Sequence, residues 1–187
     1  ENIPILIDRA VFPGTQGGPL EHVIAAKAVS FLEALQPSFK EYTKQIVLNA
    51  KALANSLIKH GFILQGGGTD NHLVLINVQK SFGIDGKFYE RALDLVGLTL
   101  NANAVPGDKG GAFRPSGVRL GTPAITTRGM KESEMLQIAD WMKQVMDLCL
   151  KAGSEENLGS PEIKQDLEEI HQQVIALSTK FKVPGIE

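Results

Sequence analysis

Two long apolar stripes in the C-terminal part of the chain most limit what it can fold into. Met135, Ile138, Ala139, Met142, Val145, Met146 and Cys149 recur at steps of three and four, and so do Ile163, Leu167, Ile170, Val174, Leu177 and Phe181. Each series predicts an amphipathic helix with one face to bury. Ser160-Pro161-Glu162 opens the second helix with a serine cap, a proline in the first turn and an acid where the helix dipole favours one. The polar segment from Gly153 to Gly159 is the loop between the two. The extended segments available to cover them are short: Phe62-Ile63-Leu64, Leu73 to Val78, Leu98-Thr99-Leu100 and the run that carries Arg119. Phe88, Ala92, Leu95 and Val96 predict a short helix among them, stopped by Gly97. So few strands cannot make a doubly wound sheet, and the expected fold is α/β, a small sandwich in which one sheet is covered on one face by helices.

Upstream, Ile46, Ala50, Leu53 and Leu57 carry a stripe to His60, and Gly61 stands where a helix usually ends. At about 1.5 Å per residue this helix spans on the order of 30 Å, enough to pass from one domain into the next. The domain boundary is expected along it, with 1–45 on one side and 46–187 on the other. Leu20, Ile24, Ala28, Phe31 and Leu35 mark an earlier helix, which Pro19 is placed to begin. Before it, Pro13-Gly14-Thr15-Gln16-Gly17-Gly18-Pro19 reads as a loop. A glycine pair ahead of a helix N-terminus can present backbone N–H groups to an anion; a tight turn that needs glycine is the other reading. No Gly-Lys-Ser/Thr follows, so the loop is not of Walker type. The apolar run from Ile3 to Phe12 is too short to classify by periodicity.

The composition is that of an ordinary soluble globular protein, 43% hydrophobic and 21% charged with a net charge of −2. Without a basic block, nucleic acid and acidic membrane surfaces are not expected partners. No apolar run reaches the ~18 residues of a membrane span, and no export signal is visible, so a cytoplasmic location is expected. Cys149 is the single cysteine, which excludes an internal disulfide and leaves it a packing role. His22, His60, His72 and His171 fall into no ligand spacing, and no Gly-x-Ser-x-Gly elbow occurs, so neither a metal site nor a hydrolase triad is expected.

Candidate chemistry gathers in two places. In Ser116-Gly117-Val118-Arg119-Leu120-Gly121-Thr122-Pro123-Ala124, strand alternation turns Val118 and Leu120 to the cover and Arg119 the other way, into a cleft or into water. A guanidinium there suits a carboxylate held by two parallel hydrogen bonds; a salt bridge within the protein is the structural alternative. The long polar loop from Asn101 to Phe113 offers asparagines that both donate and accept, suited to a heterocycle edge, and an aromatic ring that could contact it. His72, after Gly66-Gly67-Gly68-Thr69-Asp70-Asn71, is expected to make a structural hydrogen bond.

Four segments, in order, resemble serine hydroxymethyltransferase: Ala10 to Val29 with its Pro-Gly-Thr-Gln-Gly-Gly-Pro core, Gly67-Gly68-Thr69-Asp70-Asn71-His72-Leu73, Asn101-Ala102-Asn103-Ala104-Val105-Pro106, and Gly117 through Met130. The resemblance implies the C-terminal part of a fold-type-I, pyridoxal-phosphate-dependent transferase. Residues 1–45 would then be the end of the large cofactor-binding domain and the start of the interdomain helix, and 46–187 the small α/β domain. It further implies that Arg119 binds the carboxylate of serine or glycine, and that Gly17 and Gly18 contribute to the phosphate site of pyridoxal phosphate bound by the partner subunit of a homodimer. Asn103, Gly111, Ala112 and Phe113 match positions lining the tetrahydrofolate site.

The sequence departs from the family pattern where Gly111-Ala112-Phe113 replaces a Ser-Pro-Phe-type turn and Arg114-Pro115 an uncharged pair. The family's Thr-Thr-His-Lys-Thr segment, whose lysine carries the cofactor, is not in these 187 residues. The expectation is a truncated piece of the enzyme, without a catalytic residue of its own and inactive alone. A second reading is a free-standing α/β module that binds a small ligand or serves dimerisation.

Overall fold

The computed structural model describes residues 2–111 and 113–186, and the chain divides into two compact units, one ending at Lys40 and the other beginning at Glu41. The first unit holds α1 (Ile3–Val11) and α2 (Glu21–Ala34). The apolar run that periodicity could not classify is thus helical. Helix α2 begins later than expected: Leu20 is its N-cap, so Pro19 lies outside the helix. Neither helix buries a single residue.

Helix α3 (Pro37–Lys59) crosses the division and buries Ile46, Asn49, Ala50, Leu53, Ala54, Ser56 and Leu57. Gly61 follows its last turn at a φ of +86°, where only glycine is unstrained. Then come β1 (Leu73–Ile76), α4 (Val78–Phe82), α5 (Gly86–Leu95), β2 (Asn101–Asn103), β3 (Gly117–Gly121), α6 (Pro123–Thr127), α7 (Glu132–Ala152) and α8 (Pro161–Ser178). The strands form one antiparallel sheet in the order β1-β3-β2.

Two expected strands are absent. Phe62 to Leu64 makes only an isolated bridge from Leu64 to Ile76, and Leu98 to Leu100 precedes the strand, which is Asn101–Asn103. Phe62, Leu64 and Leu100 are core residues. Their apolarity reports burial rather than ladder pairing, two properties that a short run cannot separate. Val78, read as the end of a strand, instead starts α4, because the Asn77 side chain accepts from the Lys80 N–H and caps a helix there. Ser160 occupies the N-cap of α8, but its side chain makes no cap bond.

Val74, Ile76 and Val118 are fully buried against the helical layer, whose core includes Leu57, Leu93, Met135, Met142 and Met146. Cys149 lies in the same core, and burial pushes its thiol up to about 12. Within the core Tyr89 donates to the Met142 carbonyl at 2.7 Å, tying α5 to α7. Asn49 is buried but satisfied: its amide donates to Thr126 Oγ1 (2.8 Å) and to the Met130 carbonyl (2.9 Å).

Candidate functional site

Opposite the helices, the other face of the sheet is open. Arg119 stands in the middle of β3, the central strand, with Leu75 across from it on β1 and Asn101 on β2. Directly paired residues share a face and alternate residues return to it, so Leu73, Leu75, Asn101, Asn103 and Arg119 all belong to the open side. Burial follows this alternation: Val118 is buried and Leu120 half-buried, while Arg119 is exposed. Among the described residues Arg119 has no ion pair, so the salt bridge that its spacing also allowed is not formed.

Arg128, nine residues on, is the opposite case. Its guanidinium donates to the carbonyls of Ser178 (2.5 Å) and Phe181 (2.8 and 3.0 Å). It thereby satisfies the C-terminal end of α8, where carbonyls lack helical partners and a positive charge is favoured.

A cleft of about 700 Å³ lies over the open face. Arg119, Leu73 and Leu75 line it from the sheet, Lys51 and Asn55 from α3, and the turn from Gln65 to Asn71 closes one side. That turn owes its shape to Gly66 and Gly67, both at φ +72°. It is held by local side-chain bonds: Thr69 Oγ1 donates to the Leu73 carbonyl (2.6 Å), and Asn71 Oδ1 accepts from the Leu73 N–H (2.8 Å). Lys51 approaches Asp70 at 3.8 Å, with both side chains largely in solvent. The cleft thus offers a planar cation and a second, loosely paired ammonium to an anionic ligand. The His72 carbonyl accepts from Thr122 at 3.1 Å, while its side chain is exposed. The structural role expected of His72 is therefore played by its backbone.

The loop from β2 to β3 carries the other candidates. Asn103 donates from Nδ2 to the Ala104 carbonyl at 2.6 Å, which leaves its Oδ1 on the open face. Gly111 and Phe113 lie at the loop tip, Phe113 with 87% of its surface exposed. Ala112 lies outside the described residues.

In the first unit, Thr15 to Leu20 with Lys27 form the wall of a separate cleft of about 460 Å³. A Cβ on Gly17 or Gly18 would meet nothing within 4 Å, and neither adopts a left-handed φ. The turn itself therefore does not demand glycine at either position, and their backbone is bare to a ligand.

Compared with known proteins, residues 1–142 match the family model described as serine hydroxymethyltransferase. The chain belongs to the serine hydroxymethyltransferase family. It is 49% identical over 179 residues to a serine hydroxymethyltransferase of Acidobacterium capsulatum, covering 96% of this chain and 39% of that protein. A serine hydroxymethyltransferase of Acidothermus cellulolyticus is 48% identical over 181 residues, covering 97% and 41%. A probable serine hydroxymethyltransferase of Rickettsia bellii is 52% identical over 147 residues, covering 79% and 35%. The chain thus spans 35% to 41% of the length of these family members.

Of the residues singled out in the sequence, Arg119 and Asn103 share one sheet face, Gly111 and Phe113 lie on the loop joining their strands, and Gly17 and Gly18 belong to the first unit. Lys51 and Asn55 were missed. Their four-residue spacing puts them together on the flank of α3, a signal that is visible in sequence but is indistinguishable there from a solvated helix face.

Proposed function

We propose that this chain is the C-terminal part of a glycine/serine hydroxymethyltransferase, which interconverts serine and glycine and passes the one-carbon unit to tetrahydrofolate. The observation that carries this reading is Arg119: an exposed guanidinium on the open sheet face, with no carboxylate of the described residues paired to it. Arg119 would hold the amino acid's carboxylate through two parallel hydrogen bonds and so orient the rest of the substrate. Asn103 and the Gly111-to-Phe113 tip would receive the pterin, with Phe113 against its ring.

Gly17 and Gly18 fit a phosphate, because their bare backbone leaves room for close approach and α2 begins just beyond them. They would hold that of pyridoxal phosphate bound by the partner subunit of a homodimer. When bound, the cofactor supplies the electron sink for bond breaking at the amino acid's α-carbon. The lysine that carries it is not in this chain, so the chain alone is inactive. On this reading residues 1–45 complete the large domain, which would cover the exposed apolar side chains of α1 and α2, and 46–187 form the small domain. Among the described residues no helix is long and apolar enough to cross a membrane, and the complete enzyme would work in the cytoplasm.

The test is to place Arg119→Lys and Arg119→Ala in the complete enzyme and titrate serine. A lysine keeps the charge but not the fork, so losing one charge-assisted bond of about 1.5–3 kcal/mol weakens serine roughly ten- to over a hundredfold. Cofactor affinity and thermal stability should hardly move. Serine affinity near normal in both variants overturns the assignment.

A further inference from the structure

The loop from β2 to β3 is folded around one carboxylate. Asp108 Oδ2 accepts from the backbone N–H of Ser116 (2.7 Å) and of Val105 (3.3 Å). Its Oδ1 accepts from the Gly110 N–H (2.9 Å) and the Ser116 hydroxyl (2.7 Å). These donors lie on both sides of the loop tip, so the carboxylate closes the base of the loop like a knot. Gly110 makes the fold-back possible, since a Cβ there would sit 2.0 Å from the Arg114 carbonyl oxygen. The far end is anchored to the helical layer: the Pro115 carbonyl accepts from Gly86 N–H (2.9 Å), and the Ser116 carbonyl from Gln79 N–H (3.0 Å). The tip that bears Phe113 is exposed. Ser116 then leads directly into β3, three residues before Arg119.

We propose that Asp108 is the positioning residue of the one-carbon acceptor site: its carboxylate holds the loop so that Asn103 and Phe113 meet a flat, hydrogen-bonding heterocycle at a set distance from Arg119. The inference rests on the reading above of this loop as the tetrahydrofolate site. All four partners donate to the ionised carboxylate, and an amide cannot satisfy them all: even with its NH2 turned toward the Ser116 hydroxyl, which can accept, it leaves the Gly110 N–H without an acceptor. The Ser116 N–H, with the Gly110 N–H and Ser116 hydroxyl, draws the Asp108 carboxyl down to about 2. The knot is therefore charged throughout the neutral range.

The experiment compares Asp108→Asn, Ser116→Ala and Phe113→Ala in the complete enzyme by steady-state kinetics with both substrates varied. For D108N the KM for tetrahydrofolate should rise about tenfold or more, as expected for losing the Gly110 bond to an ionised group. Its KM for serine should rise no more than a few-fold, and kcat at saturation should be largely kept. S116A, which retains the backbone bond and loses only the hydroxyl, should show a smaller shift in the same direction, and it serves as the test if D108N does not fold. In the 187-residue chain, D108N should also speed tryptic cleavage after Lys109. A tetrahydrofolate KM that is unchanged in D108N and S116A but raised in F113A overturns the role of Asp108 and leaves the folate site standing. No change in any of the three overturns both. Equal losses for serine and tetrahydrofolate would mark Asp108 as a general structural residue and also overturn the proposal.

Discussion

The first unit and the second are both rich in apolar helical residues and use them in opposite ways. From Glu41 onward the stripes interlock: α3, α5, α7 and α8 share one core in which Leu57, Leu93 and Met146 have no exposed surface. Before it, α1 and α2 bury nothing, and Phe31 and Leu35 are 66% and 79% exposed. Periodicity therefore predicts that a helix has an apolar side, but not that this chain contains what covers it. An exposed apolar surface of that extent marks an interaction face.

The sharpest way to break the comparison is to cut the same side chain from each unit. Leu57→Ala leaves a cavity in a closed core and should cost about 2–5 kcal/mol of stability, measured as a lowered urea midpoint of the 187-residue chain. Leu35→Ala removes a side chain that already meets solvent and should stay within about 0.5 kcal/mol. A comparable loss from both would mean that α2 is packed.

Glycines give a smaller contrast. Gly97 sits at φ +79°, and a Cβ there would come within 3.4 Å of His171 Nδ1, a buried nitrogen with no hydrogen-bond partner among the described residues. Gly97→Ala should destabilise by about 1–3 kcal/mol through backbone strain alone. Gly17→Ala has open space and no left-handed φ, so its thermal midpoint should match that of the parent chain. Its effect belongs to the complete enzyme, where weaker binding of pyridoxal phosphate is expected. A drop in stability of the isolated chain would restore the tight-turn reading of Gly17.

The smallest expected effect is an acid one. The Asp108 carboxyl is lower in the folded chain, at about 2, than in an unfolded chain, near 4. Its contribution is therefore complete above about pH 4 and is lost as pH falls through its folded value. In acid titrations followed by circular dichroism, Asp108→Asn should flatten the limb between about pH 4 and 2 while leaving the neutral baseline nearly parallel. An unchanged limb would mean that the knot does not persist in solution.

Much of the second unit was legible because its helices are long. Met135 to Cys149 and Ile163 to Phe181 repeat often enough to define a face, and Gly61 and Gly153 stop their helices at positive φ. The short segments were not legible in the same way. Phe62-Ile63-Leu64 and Leu98-Thr99-Leu100 have strand composition, yet they serve the core without joining the ladder, since three residues carry no period and pairing depends on a distant partner.

For the site, the sequence by itself determined that Arg119 opposes Val118 and Leu120, because strand alternation is a local property of the backbone. It also determined the family, through motifs spread between Ala10 and Met130. Only the tertiary structure distinguished two arginines that look alike in sequence. Arg128 is consumed by the end of α8, and Arg119 is left open above a cleft with Lys51 and Asn55. Only the fold, likewise, made Asp108 the centre of its loop. Four donors had to converge on two oxygens, and although Val105, Gly110 and Ser116 all lie within eight residues of Asp108, the far end of the loop is fixed by the Gly86 and Gln79 N–H groups, which packing of a separate segment brings to it.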